Sequence, residues 1–175
     1  MSNLLTADIL KVLTFSKGTN LIITVGNSFR SDDGVGSYIF SCLCRGRSPN
    51  SDNKEDELGL RPLFFLDAGY TPENIVDEAI SLNPDTVVIL DAADFGGEPG
   101  EVRLIPEEAI PETTLSTHMV PMSVVTCLIA DATGAAIHFI GIQPKNVAMG
   151  EGLCEEVRAA ADAIVEKIKV CAKPH

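Results

Sequence analysis

Positive charge is what this chain has least of: 13 Lys and Arg stand against 25 Asp and Glu, for a net charge of −12. A field of that sign repels phosphate backbones and anionic headgroups, so neither nucleic acid nor a membrane surface is an expected partner. Part of the acid is an ordinary means of keeping a folded chain in solution. Long apolar runs are missing too, and nothing reaches the length needed to cross a bilayer. The opening residues, MSNLLTADILKVLTFSKG, lack a basic start and carry Asp8 and Lys11 inside their apolar stretch, so they do not read as a signal peptide. A cytoplasmic location is expected, with Cys42, Cys44, Cys127, Cys154 and Cys171 kept reduced.

The short catalytic signatures are absent as well. There is no HExxH or HxxEH for a zinc protease and no GxSxG for a serine hydrolase, and Ser28 has no base at a recognisable spacing. No CxxC pair exists, and Cys42 and Cys44, two apart on a predicted helix, point to different faces. The cysteines therefore read as small, partly buried side chains. Neither GxGxxG nor GxxxxGK occurs, which argues against a nucleotide-phosphate cradle.

What is present suits one compact domain spanning residues 1–175, with 45% hydrophobic and 22% charged residues. Runs of branched and aromatic residues at Leu21 to Val25, Leu63 to Leu66, Thr86 to Leu90 and Ile137 to Ile142 alternate with helix-like segments. The pattern predicts an α/β fold: a twisted, mostly parallel sheet of about five strands with helices on both faces. The fifth strand, Glu101 to Ile105, follows the turn-like GGEPG and is expected to pair antiparallel at an edge. Helices are expected at Leu4 to Leu13, Gly34 to Arg45, Pro72 to Leu82, Val120 to Ala130 and Glu151 to Val170. Thr71 is the expected N-cap of the third, with Pro72 in its first turn. Residues 46–61, GRSPNSDNKEDELGLR, read as a long polar surface loop, and residues 1–20 as an extra N-terminal segment.

Ligands of open α/β sheets sit beyond the carboxyl ends of the strands, and here those ends are acidic. The first strand runs into GNSFRSDDGVG with Asp32 and Asp33, the second ends at Asp67, and the third at Asp91. Clustered carboxylates repel one another, and a shared divalent cation makes their ionised forms easier to keep. Of the three histidines, His175 ends the chain and His138 lies within a strand, whereas His118 sits in a loop before a helix and can be presented to the same edge. Two carboxylates and an imidazole suit a first-row divalent metal and leave coordination positions open.

At these residues the sequence resembles the nickel-iron hydrogenase maturation endopeptidases, and more narrowly the type serving hydrogenase 3 of formate hydrogenlyase. The matching pieces are Gly26, Asn27, Asp32, Asp33, Gly34 and Gly36 after the first strand, Asp67-Ala68-Gly69, Asp91-Ala92, His118, and Gly141 to Pro144. The resemblance implies that Asp33, Asp91 and His118 contact metal and carry the metal-assisted chemistry, with Asp32 and Asp67 as supporting candidates. It implies no permanent cofactor. The partner it implies is a hydrogenase large-subunit precursor, whose installed nickel would be recognised before its C-terminal extension is removed, and the protease is expected to be a monomer.

Three features depart from the family pattern: residues 1–20, the loop after Gly46, and Ala68 where glycine is common, a position that tolerates alanine only if its φ is negative. No nucleophile is visible, so a maturation factor that binds the precursor without cutting it is an alternative. A phosphoacceptor receiver domain is a weaker one, because Lys145 follows Pro144 instead of preceding a proline and His118 would have no part.

Overall fold

The computed structural model of the chain describes residues 5–15, 18–45, 62–110 and 120–171. Its strands are β1 (Asn20–Val25), β2 (Leu63–Gly69), β3 (Thr86–Ala92), β4 (Val102–Ile105) and β5 (Ala136–Ile142). They form one sheet of order β2-β1-β3-β5-β4. The first four in that order are parallel, and β4 lies antiparallel to β5 at the edge, as the sequence predicts. The carboxyl ends of β1, β2, β3 and β5 consequently share one edge of the sheet.

Every residue of β1 is buried, which a parallel strand covered on both faces requires. Alternate residues enter two different cores. Ile22, Val88, Leu90 and Ile140 face a layer made by α1 (Ala7–Val12), α2 (Val35–Cys44) and α5 (Glu155–Cys171). Leu21, Ile23, Val87, Ile89 and Phe139 face α3 (Val76–Ser81) and α4 (Met122–Thr133). The expected α/β architecture with helices on both faces is the one found.

The N-terminal segment belongs to the first of these cores. Thr6 caps α1 by accepting the Ile9 N–H on its hydroxyl at 3.4 Å, and Leu5, Ile9, Leu13 and Phe15 are all buried. Each such side chain contributes about 2 kcal/mol through burial. The predicted loop at 46–61 lies outside the described residues.

Several boundaries differ from expectation for identifiable reasons. Thr71 does not cap the third helix: its hydroxyl accepts from the Asn74 side chain at 3.0 Å, and the chain opens with a 3-10 turn, Pro72–Ile75, before α3. The fourth helix runs to Thr133 because its stop is Gly134, in the left-handed region at φ 73 with its N–H donating to Ala130 O at 2.8 Å. The last begins at Glu155, not Glu151, because Gly152 lies in the left-handed region at φ 86 and the Cys154 N–H donates to Asp32 Oδ1 at 2.7 Å in the loop after β1.

Ala68 is the extra residue where the β1–β2 register slips, with Thr24 opposite Asp67 and Val25 opposite Gly69. The positive φ, 54°, falls on Gly69. Ala68 is absent from the positive-φ positions and replaces a glycine without strain.

Candidate active site

The loop after β1 is folded against the strand it leaves. Asn27 N–H donates to Asp33 O at 3.0 Å, Arg30 N–H to Asn27 O at 3.0 Å, and Asp33 N–H to Arg30 O at 3.1 Å. A Cβ at Gly26 would collide with the Asp33 carbonyl and one at Gly36 with the Val25 backbone, so the glycines of this motif permit a close backbone approach. The turn ends in a short 3-10 segment, Ser31–Gly34, which leads into α2 and buries both Asp32 and Asp33.

These neighbouring aspartates have different surroundings. Asp32 is fully buried and accepts three backbone N–H groups: Lys145 at 2.9 Å and Asn146 at 3.0 Å on Oδ2, and Cys154 at 2.7 Å on Oδ1. Burial alone would raise its pKa, but the bonds from Cys154, Asn146 and Lys145 outweigh it and hold the carboxyl below its usual range. Asp32 thus ties the loop after β1 to the loop after β5, and in this arrangement it is a structural anion with both oxygens engaged. Its capture of the Cys154 N–H satisfies a donor immediately ahead of α5 and sets where that helix starts.

Asp33 and Asp91 form the pair. They are 4% and 1% exposed, Asp33 in the 3-10 segment that follows β1 and Asp91 next to the last residue of β3, the parallel neighbour of β1. Burial, and after it the charge of Asp33, pushes the Asp91 carboxyl up to about 8, against a smaller opposing effect of the Ala92 N–H. Asp91 Oδ2 has no hydrogen-bond partner among the described residues. A buried carboxyl oxygen with no donor and a negative neighbour is a poor structural element and a ready acceptor for a cation.

The other predicted site residues divide. Asp67 is exposed on the far side of β1, where Oδ1 accepts Thr24 Oγ1 at 3.2 Å and Gly69 N–H at 3.1 Å and closes the bulge. His118 lies outside the described residues. Among those described, no group of three or more His, Cys, Asp or Glu residues gathers in a metal-holding arrangement, so two of the three expected ligands are seen together. His138 sits early in β5, opposite Val88, where burial lowers its pKa, and it takes no part in this edge. Cys42, Cys44, Cys154 and Cys171 are half-buried as expected, whereas Cys127 is exposed, and so is Ser28. Lys145 pairs with Glu156 at 2.7 Å, which occupies the cation a receiver domain would need.

Sequence reasoning assigned no role to Gln143, which is 6% exposed. Its Oε1 accepts Phe95 N–H at 2.9 Å and Gly97 N–H at 3.0 Å, and its Nε2 donates to Asp94 Oδ1 at 3.1 Å. That amide organises the loop leaving Asp91's strand. The signal available was its place in the Gly141 to Pro144 piece of the family pattern, as a lone amide closing an apolar strand.

The hydrogenase maturation protease family model, HycI, matches residues 54–170. The chain belongs to the hydrogenase maturation protease family. Peptide-bond hydrolysis is therefore its reaction class. This family member is similar to the hydrogenase 3 maturation protease of Escherichia coli K12, 27% identical over 152 residues that cover 86% of this chain and 89% of that one. The crystal structure of HycI from Thermococcus kodakarensis, a NiFe hydrogenase maturation protease, matches with a TM-score of 0.75 at 30% identity, covering 94% and 99% of the two chains. The solution structure of the Escherichia coli endopeptidase HycI matches at 0.71 and 26% identity, covering 87% and 90%.

Proposed function

We propose that this protease removes the C-terminal extension of a nickel-iron hydrogenase large-subunit precursor after nickel insertion, working in the cytoplasm as a monomer without a resident cofactor. The observation that carries the reading is the buried Asp33–Asp91 pair with the unpartnered Asp91 Oδ2, in a chain of this family. A divalent cation brought by the precursor would replace the proton that keeps Asp91 neutral. Oxygen donors from Asp33 and Asp91, with the His118 imidazole as third, suit a first-row ion and leave positions for the precursor's own ligands. Nickel is here part of the substrate. Its role in this chain's hands is to fix the tail against the sheet edge, so that a water reaches an oriented peptide bond.

The test is the mass of a nickel-loaded precursor before and after incubation with the parent protein, Asp33→Asn, Asp91→Asn and His118→Ala. Loss of the tail with the parent and none with the three variants is expected. A variant that processes at the parental rate removes that residue from the site, and an intact precursor after incubation with the parent overturns the reading.

A further inference from the structure

Three of the seven exposed large apolar side chains among the described residues stand in the loops at the active edge: Phe29 at 61%, Tyr70 at 62% and Met149 at 81% exposure. They follow the carboxyl ends of β1, β2 and β5. The backbone holds Phe29 and the Met149 segment together. Gly150 N–H donates to Phe29 O at 2.9 Å, Ser31 N–H to Gly150 O at 2.8 Å, and Ser31 Oγ to Ala148 O at 3.1 Å. Ser31 adopts a φ of 50° within this contact, and Asp32 fastens the same two loops through Lys145, Asn146 and Cys154. Because β3 lies between β1 and β5, the joined loops bridge the strand that carries Asp91. A loosely held loop could fold its apolar tip inward, but this doubly anchored platform keeps both side chains in water.

We propose that Phe29 and Met149, flanked by Tyr70, are the docking surface for apolar side chains of the precursor next to its metal-bearing group. The proposal rests on the cleavage reading above. The occupant follows from depth and continuity. Asp33 and Asp91 are 4% and 1% exposed, so a group that reaches them must enter below the rim, and the polypeptide carrying it must lie across that rim. Phe29 is in the same loop as Asp33. Aromatic residues and methionine are also the types enriched where partners bind.

The test uses the full chain and full-length precursor with Phe29→Ser/Met149→Ser, and with Val170→Ser as a control. Val170 is 58% exposed in the last turn of α5, which runs away from the active edge. Both positions of the double variant are exposed, so its melting temperature should equal the parent's. With nickel-loaded precursor, KM should rise about tenfold with kcat within about twofold, because ground-state and transition-state binding are lost together. Binding of nickel-free precursor should weaken by a similar factor, and Val170→Ser should match the parent. Unchanged KM and unchanged binding overturn the proposal. So does sedimentation showing a parental dimer that the double variant dissociates, since the surface would then belong to a second copy. If the parent binds precursor but does not cut it, the cleavage reading fails and the binding measurement alone decides: weaker binding by the double variant upholds the docking surface, and equal binding overturns it.

Discussion

Asp32 and Asp91 are both buried at one sheet edge, yet three backbone donors hold the first down while burial and the charge of Asp33 push the second up. The consequences for stability have opposite signs. Asp91 titrates at about 8 in the fold and at ~3.9 in an unfolded chain. Between those values the folded state holds a proton the unfolded state has lost, so this group's contribution to stability falls as pH rises. Asp32 is held low in the fold, so its contribution is complete above the ordinary carboxylate pKa and is lost as pH falls below it. His138, lowered by burial, acts against the Asp91 trend in acid, which leaves roughly pH 6.5 to 8 as the clean window. In metal-free buffer the melting temperature should decline across that window, and Asp91→Asn should remove most of the decline while cutting processing at least about 100-fold. A flat profile in the parent contradicts the raised pKa. Asp32→Asn should instead unfold more easily, by about 3 kcal/mol or about 10 °C, because a carboxylate serving three backbone donors is replaced by an amide that repels one of them.

Among the elements, the strands were legible because branched runs alternate toward two cores, as Ile22 and Ile23 do. The edge position of Asp33 and Asp91 was legible too, since each stands where a branched apolar run gives way to polar residues, Asp91 at the end of β3 and Asp33 in the turn that leaves β1. Which of the two adjacent aspartates joins Asp91 came only from the family resemblance, because nothing in the local pattern separates them. The donors that engage Asp32 come from Lys145, Asn146 and Cys154, more than a hundred residues away, and no local pattern announces them. The same long-range bond moved the start of α5 from Glu151 to Glu155. Thr71 shows a local version of the problem: a good N-cap residue was taken by the Asn74 side chain. Gln143 stood in a matching piece, but its role was invisible for a further reason: the groups its Oε1 accepts are backbone N–H groups of Phe95 and Gly97, which any sequence would supply. Gln143→Leu should leave those N–H groups without an acceptor and cost about 2–4 kcal/mol. A thermal or denaturant melt measures it, and a change below about 0.5 kcal/mol would mean the loop is held by other contacts.

At the scale of the whole molecule, no helix among the described residues is long and apolar enough to cross a membrane, and the sheet directs its acidic strand ends to one edge. On the proposed reading, Asp33, Asp91 and His118 are three ligands, too few to hold a metal tightly without donors from a partner. Recognition of a metal already installed in the precursor is what that proposal expects. The direct measurement presents nickel-loaded and nickel-free precursor to the chelator-treated protease and follows the C-terminal tail by mass spectrometry. Release of the tail from the loaded form alone, with no rescue of the empty form by nickel added to the protease, is the predicted result; equal cleavage of both forms would contradict it.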